Sequence, residues 1–137
     1  SHGIRLVGYT AIENSGFRVD GLQLHIEAGG SEVGLYMTAG TTTGMVISNN
    51  IIKGTVDPSS MYNSGIISSN SLVFNNIIYG FHCASYQCNG IYATGYKTNN
   101  IYNNTFYDND IAIYNNSGTG IGYMTVKNNL CQGCQVC

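Results

Sequence analysis

Residues 47–52 read Ile47-Ser48-Asn49-Asn50-Ile51-Ile52, and the same pattern returns three times, beginning at Val73, Ile101 and Val126. The first Asn of each pair falls at positions 49, 75, 103 and 128, so the copies follow one another at a nearly constant period. A weaker copy, Val19-Asp20-Gly21-Leu22-Gln23-Leu24, lies one further period upstream. A period of this length indicates a solenoid in which each winding of the chain covers the next.

A second motif alternates with the first and predicts a short strand in every repeat. It is a glycine or alanine followed by an aliphatic residue, and no stretch carries a helical period with caps at both ends. Parallel windings about 4.8 Å apart place equivalent residues in columns. The expected inward column is apolar throughout: Ile4, Leu35, Ile66, Ile91 and Ile113. Long loops are expected between the motifs, at 7–16, 25–33, 38–45, 54–64, 80–89 and 116–124.

The second Asn of each pair forms a polar column. Its members are Asn50, Asn76, Asn104 and Asn129. Asn tolerates the left-handed conformation at a tight corner, and we expect this second Asn to adopt it. Stacked amides also satisfy buried backbone groups of the neighbouring winding, so the column predicts a structural ladder. The alternative is a row of Asn side chains that binds sugar.

The composition limits the classes of function. The 137 residues make one domain, 1–137, of which only 9% are charged, against about 25% in ordinary soluble proteins. The net charge of −2 and the short apolar runs argue against a nucleic-acid partner and against a membrane span. Low charge and five cysteines favour a secreted, extracellular or cell-surface protein. Both ends read like the middle of the pattern, so we expect a mature chain or an uncapped fragment.

With these motifs the chain resembles the right-handed parallel β-helix, or pectin-lyase-like, superfamily. The resemblance covers nearly the whole chain and implies an all-β, single-stranded, right-handed parallel β-helix of about four to five coils. That superfamily includes polysaccharide lyases, pectin-degrading hydrolases and adhesins. The resemblance therefore implies either a glycan lying along one sheet or a structural solenoid.

One outward column combines aromatic rings with a cation. It reads Arg5, Tyr36, Ile67, Tyr92 and Tyr114, with the glycines expected as a smooth strip beside it. Tyr rings offer flat apolar faces with a polar tip, which suits stacking on pyranose rings. We therefore predict carbohydrate binding by Arg5, Tyr36, Tyr92 and Tyr114. The alternative is a tyrosine ladder that only stabilises the strands.

Catalytic residues are only weakly indicated, so enzymatic activity stays open. A lyase would need a base and a cation, for which Arg5 is the candidate, and Ca²⁺ becomes a cofactor only in that case. No column carries enough acids for a Ca²⁺ site. A hydrolase would need two carboxylates, for which Asp108 and Asp110 are candidates. Their spacing equally fits turn chemistry.

The cysteines fall into two groups. Cys83 and Cys88 bracket one connection and predict a disulfide. The group Cys131-x-x-Cys134-x-x-Cys137 lacks a second cluster, so we predict a partial disulfide or free thiol and no metal site.

Two functions remain in competition. The first is a secreted carbohydrate-active or carbohydrate-binding β-helix whose partner is a polysaccharide. The second is a non-catalytic structural or adhesive segment of a surface or filament protein, stacking end to end through unpaired strand edges.

Overall fold

The computed structural model describes residues 2–8, 18–27, 32–39, 45–57, 62–85, 87–95, 98–116 and 123–137, with the backbone alone for 2–8, 38–39 and 57. Most of the loops predicted at 7–16, 38–45 and 116–124 lies outside these residues.

Strands follow the repeat from one winding of the chain to the next. The first winding contains β1 (His2–Gly8), β2 (Arg18–Asp20) and β3 (Gln23–His25). The second contains β4 (Val33–Ala39), β5 (Met45–Ser48), β6 (Ile51–Lys53) and β7 (Val56–Asp57). The third contains β8 (Ser64–Ser68), β9 (Ser71–Phe74), β10 (Ile77–Tyr79) and β11 (His82–Cys83). The last two contain β12 (Asn89–Thr94), β13 (Asn99–Tyr102), β14 (Thr105–Tyr107), β15 (Ile111–Asn116), β16 (Met124–Lys127) and β17 (Leu130–Gln132).

Equivalent strands of successive windings pair in parallel and make three sheets. Sheet 1 has the order β1-β4-β8-β12-β15, sheet 2 the order β2-β5-β9-β13-β16, and sheet 3 the order β3-β6-β10-β14-β17. Leu35 pairs with Ile66, and Ile66 pairs with Ile91, so the predicted column is in register. This architecture confirms the all-β parallel β-solenoid.

The hydrophobic core runs through the middle of the stack. Within the described part of the chain, only the second, third and fourth windings are covered on both sides, so about three turns are enclosed, fewer than the four to five coils expected. Leu35, Ile66 and Ile91 are fully buried there, and Phe106 fills the same interior from sheet 3. Val126 belongs to an inward column but is 43% exposed, because among the described residues its strand β16 is covered on one side only.

The glycine strip faces the core, which makes the expectation of a smooth outer strip wrong. A Cβ on Gly65 would lie 2.8 Å from the carbonyl oxygen of Gly90 and 2.8 Å from Ile78 Cγ2. A Cβ on Gly90 would lie 2.8 Å from Phe106 Cδ1. Glycine is therefore required where the backbone of sheet 1 approaches the bulky side chains of sheet 3.

Two of the connections expected as long loops contain strands. Within 54–64 and 80–89, β7 and β11 pair in parallel, with Val56 opposite His82 and Asp57 opposite Cys83. These segments form a narrow fourth sheet that continues the stack beside sheet 3.

At each corner it is the first Asn, and not the second as expected, that adopts the left-handed backbone conformation. The first Asn has the left-handed backbone, with φ of 57° at Asn49, 55° at Asn75, 54° at Asn103 and 55° at Asn128. The weaker copy places Gly21 there, with φ of 71°. No second Asn among the described residues has positive φ. The prediction that the second Asn turns the corner is therefore wrong.

The second Asn of each pair points inward and joins adjacent windings. Asn50 Nδ2 donates to Asn76 Oδ1 over 2.9 Å, Asn76 Nδ2 donates to Asn104 Oδ1 over 2.9 Å, and Asn104 Nδ2 donates to Asn129 Oδ1 over 3.0 Å. Each accepting oxygen also receives the backbone N–H of the Asn that donates to it. The resulting ladder satisfies polar groups that the core would otherwise leave unpaired.

A second corner of the same design follows sheet 3. Gly80, Asp108 and Gly133 have positive φ there, at 77°, 53° and 70°. In the fourth winding the next residue, Asn109, donates from Nδ2 to the carbonyl oxygen of Ile78 over 3.0 Å and accepts from the backbone N–H of Phe81 over 3.1 Å. Asn109 therefore repeats the ladder interaction at a corner whose residue types vary between windings.

Candidate functional site

Two adjoining hollows lie on the outer face of sheet 1. Their volumes are about 410 Å³ and about 470 Å³, and Tyr62, Asn89 and Tyr92 line both. The first hollow is completed by Gln87, Ile111 and Tyr114, and the second by Val33, Ser64 and Ile67. Because the hollows share one wall, they form a continuous groove across β4, β8, β12 and β15.

Two of the predicted sugar-binding residues lie together in this groove. Tyr92 and Tyr114 pair in register on β12 and β15, and their rings stack with centroids 5.4 Å apart at an interplanar angle of 28°. Asn116 Nδ2 donates a hydrogen bond to the Tyr92 hydroxyl. The pair therefore presents a double ring surface rather than two separate tyrosines.

The other two predicted residues do not line the hollows. Tyr36 lies on β4 in register with Ile67 and is half-buried, so it extends the same outward column. Arg5 follows in register with Tyr36 on β1, and its side chain lies outside the described part of the structure. The structure thus concentrates the aromatic surface towards β12 and β15.

Sequence reasoning missed Tyr62, Gln87 and Asn89, which lie before or at the start of the strands of sheet 1. Tyr62 and Gln87 are separated along the chain by one period of the repeat. Applying that period to the residues before each glycine motif could have predicted that Tyr62 and Gln87 lie next to each other in adjacent windings. The sequence did not reveal this column because its members differ in type: Tyr62 carries a ring and Gln87, one winding later, carries an amide.

Asn89 gives the groove a buried polar group. Its side chain is only 3% exposed, and Nδ2 donates to the carbonyl oxygen of Gln87 over 2.8 Å. Its Oδ1 is buried without a hydrogen-bond partner. Leaving such an acceptor unpaired costs about 1–3 kcal/mol. Because this oxygen is buried, a sugar hydroxyl that paired with it would have to displace part of the groove wall, and the pairing would recover part of that free energy.

A second cluster joins His82 to the two predicted carboxylates. His82 Nδ1 lies 2.8 Å from Asp110 Oδ1, and His82 Nε2 lies 3.1 Å from Asp108 Oδ1. Asp110 is 1% exposed and also accepts the backbone N–H of Cys83 over 2.9 Å. Both acids follow His82 along the chain by one repeat period, a signal that sequence reasoning did not use.

The charge of this cluster stabilises contacts between windings. Partial burial lowers the pKa of His82, but its hydrogen bonds and charge interactions with Asp110 and Asp108 outweigh that effect and leave the pKa raised above its ordinary value of 6.5. An imidazolium at this place contacts Asp110 through Nδ1 and Asp108 through Nε2. The arrangement is a tie that joins the third winding to the fourth, and the roles of Asp108 and Asp110 as hydrolase carboxylates stay a prediction.

The cysteines form two disulfides. Cys83 is bonded to Cys88 beside the His82 cluster, and Cys131 of the last strand, β17, is bonded to Cys137. Cys134 is a free, half-buried thiol. Among the described residues, no helix is long and apolar enough to cross a membrane.

Together these features define a parallel β-solenoid with an aromatic groove on one sheet and an internal Asn ladder. No protein-family model matches the chain, and comparisons with curated proteins and with solved structures give no match either. The functional assignment therefore depends on the groove itself.

Proposed function

We propose that the groove of sheet 1 binds a neutral polysaccharide chain. The observation that carries this proposal is the wall shared by the two hollows, to which Tyr62, Tyr92 and Asn89 all contribute. Aromatic faces pack against the C–H faces of pyranose rings, and amides exchange hydrogen bonds with sugar hydroxyls. The groove thus offers the rings of Tyr62, Tyr92 and Tyr114 and the amides of Gln87 and Asn89 to an extended chain.

The lining favours uncharged sugars over uronic acids. None of the described residues that line the two hollows carries a formal charge. A polyuronate brings one carboxylate per sugar unit and is bound well only where cations compensate it. Arg5, the proposed lyase cation, belongs to β1, which β4 separates from β8. The proposal is therefore one of binding without lyase chemistry, and it calls on no Ca²⁺.

The proposed compartment is extracellular. Two disulfides in one chain are characteristic of oxidising environments, and a glycan-binding face is most useful where polysaccharides are found. The relationship to the pectin-lyase-like superfamily is proposed on the repeat and its Asn corners.

Affinity electrophoresis in gels containing neutral glucans, xylans or mannans tests this function. We expect retardation by at least one neutral polymer and none by polygalacturonate or alginate. Tyr92→Ala should lower the association constant derived from the retardation about tenfold, because it removes half of the stacked ring surface. Tyr107→Ala is the matched control, since Tyr107 is a 51% exposed tyrosine on sheet 3.

The polar anchor is tested by Asn89→Leu, which removes the unpartnered oxygen at similar volume. Binding should fall while the denaturation midpoint changes little, because the lost hydrogen bond from Nδ2 to the Gln87 carbonyl is offset by removal of the unpaired buried acceptor. Equal retardation of wild type, Tyr92→Ala and Asn89→Leu, or retardation by polyuronates only, would contradict the proposal.

A second candidate function is end-to-end association of two copies of the chain. It is favoured by the exposed apolar side chains Val126 and Leu130 on β16 and β17, two strands that each pair on one side only among the described residues. Sedimentation velocity should then show concentration-dependent oligomers that Leu130→Lys abolishes. A monomer at all concentrations would exclude this function for the 137-residue chain.

A further inference from the structure

Three cysteine sulfur atoms lie close together at the end of β17, the last strand of sheet 3. The Sγ atoms of Cys131, Cys134 and Cys137 all lie within 4.8 Å of one another. Cys131 and Cys137 form a disulfide, and Cys134 keeps a free thiol. A nucleophilic sulfur is thus held beside a disulfide that it can attack.

The corner geometry holds Cys134 at this place. Gly133 adopts a φ of 70° and turns the chain, and Cys134 then occupies the position that Asn109 holds in the preceding winding. Asn109 Nδ2 donates to Cys134 Sγ over 3.8 Å. The thiol therefore replaces an amide at the end of the second corner ladder, and its place is set by the solenoid backbone.

Exposure distinguishes these sulfurs from the other disulfide. Cys131 and Cys134 are half-buried and Cys137 is exposed, whereas Cys83 and Cys88 are 6% and 0% exposed. Reagents in solution can therefore reach the three-sulfur group and are kept from the Cys83–Cys88 bond. The chain contains its own internal control.

We propose that Cys131, Cys134 and Cys137 form a thiol–disulfide exchange centre that takes small-molecule disulfides as substrates. In the internal step the Cys134 thiolate attacks Cys131 Sγ, the Cys131–Cys134 bond forms, and the Cys131–Cys137 bond breaks. Cys137 leaves as a thiolate and takes up the proton that Cys134 released, so no net oxidation occurs.

The external step uses the released thiol. The Cys137 thiolate attacks one sulfur of a low-molecular-weight disulfide such as glutathione disulfide. A mixed disulfide forms on Cys137, and one glutathione thiolate leaves. The exposed third cysteine thus becomes a covalent modification site, a property separate from glycan binding.

The test is incubation with glutathione disulfide, acid quench and peptide mapping by mass spectrometry. We expect one glutathione per chain, found on Cys137 together with a Cys131–Cys134 bond, and an intact Cys83–Cys88 bond. Cys137→Ser should pair Cys131 with Cys134, leave no free thiol in this group and reduce the adduct at least tenfold.

Two further outcomes decide the matter. Cys134→Ser should keep the Cys131–Cys137 bond and take up no glutathione, with circular dichroism showing the same β content as the wild type. Glutathione found only on Cys134, beside an unchanged Cys131–Cys137 bond, would overturn the proposal, because Cys134 would then be a lone thiol. A Cys137→Ser variant that still reacts fully through Cys134 would overturn it as well.

Discussion

Asn75 and Asn76 are neighbours at one corner but stabilise it by different means. Asn75 is exposed and supplies a left-handed backbone with φ of 55°. Asn76 is 1% exposed, accepts two hydrogen bonds from Asn50, and donates to Asn104 and to the carbonyl oxygens of Ile47 and Phe74. Identical residue types therefore meet one conformational and one hydrogen-bonding requirement.

Alanine substitutions should separate these two requirements. Asn76→Ala leaves several buried groups unpaired, so the free energy of unfolding should fall by about 3 kcal/mol or more. Asn75→Ala keeps the ladder and suffers only the left-handed backbone of a non-glycine residue, about 1 kcal/mol. Urea denaturation followed by circular dichroism measures both. Equal losses would contradict the division of roles.

The pH dependence of stability should report the His82 tie. Because the pKa of His82 is raised in the folded state, its stabilisation is complete below the ordinary value of 6.5 and is lost as the pH rises through the folded value. The urea midpoint of the wild type should therefore drop between pH 6 and pH 9 more than that of His82→Gln. Parallel pH profiles for the two proteins would refute the tie.

At the scale of elements, the glycine column sets how closely sheet 1 approaches sheet 3. Gly90 faces Phe106, and its place in the next winding is taken by Ala112. Within the described residues no strand follows β15 in sheet 1, and an isolated bridge from Val136 covers its start. The requirement for glycine therefore follows from the stacking of full windings rather than from strand conformation.

Gly90→Ala should accordingly destabilise the fold although alanine is tolerated one winding later. The new Cβ would lie 2.7 Å from the carbonyl oxygen of Ala112, so the backbone must shift, at about 2 kcal/mol or more. Gly21→Asn is the control, because nothing lies within 4 Å of a Cβ there and the other repeats already carry Asn. Thermal melts of both variants measure the difference, and a Gly90→Ala melt unchanged from wild type would refute the requirement for glycine.

The elements predicted from sequence were those with a repeated residue type. The Ile-x-Asn-Asn corners and the Gly-aliphatic strands predict the parallel solenoid because the same chemistry recurs once in every winding. The second corner escaped notice because Gly80, Asp108 and Gly133 share a backbone conformation and no side chain. Different residue types can adopt the same backbone conformation, so a search for repeated residues does not find such a corner.

The site was predicted in part for the same reason. Tyr92 and Tyr114 belong to a strand motif and could be placed on one face. Tyr62 and Asn89 come before that motif, where the alternation of side chains is interrupted by a glycine that faces inward. A one-residue change of facing moves every preceding side chain to the other side of the sheet, and periodicity alone does not reveal it.

On the scale of the whole molecule, the solenoid is a rigid frame for an extended groove. Backbone hydrogen bonds between windings and the Asn ladder hold β4, β8, β12 and β15 at fixed spacing. A polymer that follows the groove runs across the strands, in the direction in which the windings stack. Our proposal is that a neutral glycan contacts this face rather than sheet 3.

Backbone amide chemical shifts during titration with a neutral oligosaccharide measure this most directly. The account predicts that the amides of Asn89, Tyr92 and Tyr114 shift together with one saturation curve, while those of β6, β10 and β14 on sheet 3 stay unchanged. Shifts centred on sheet 3, or shifts produced by a uronic oligosaccharide and not by a neutral one, would contradict it.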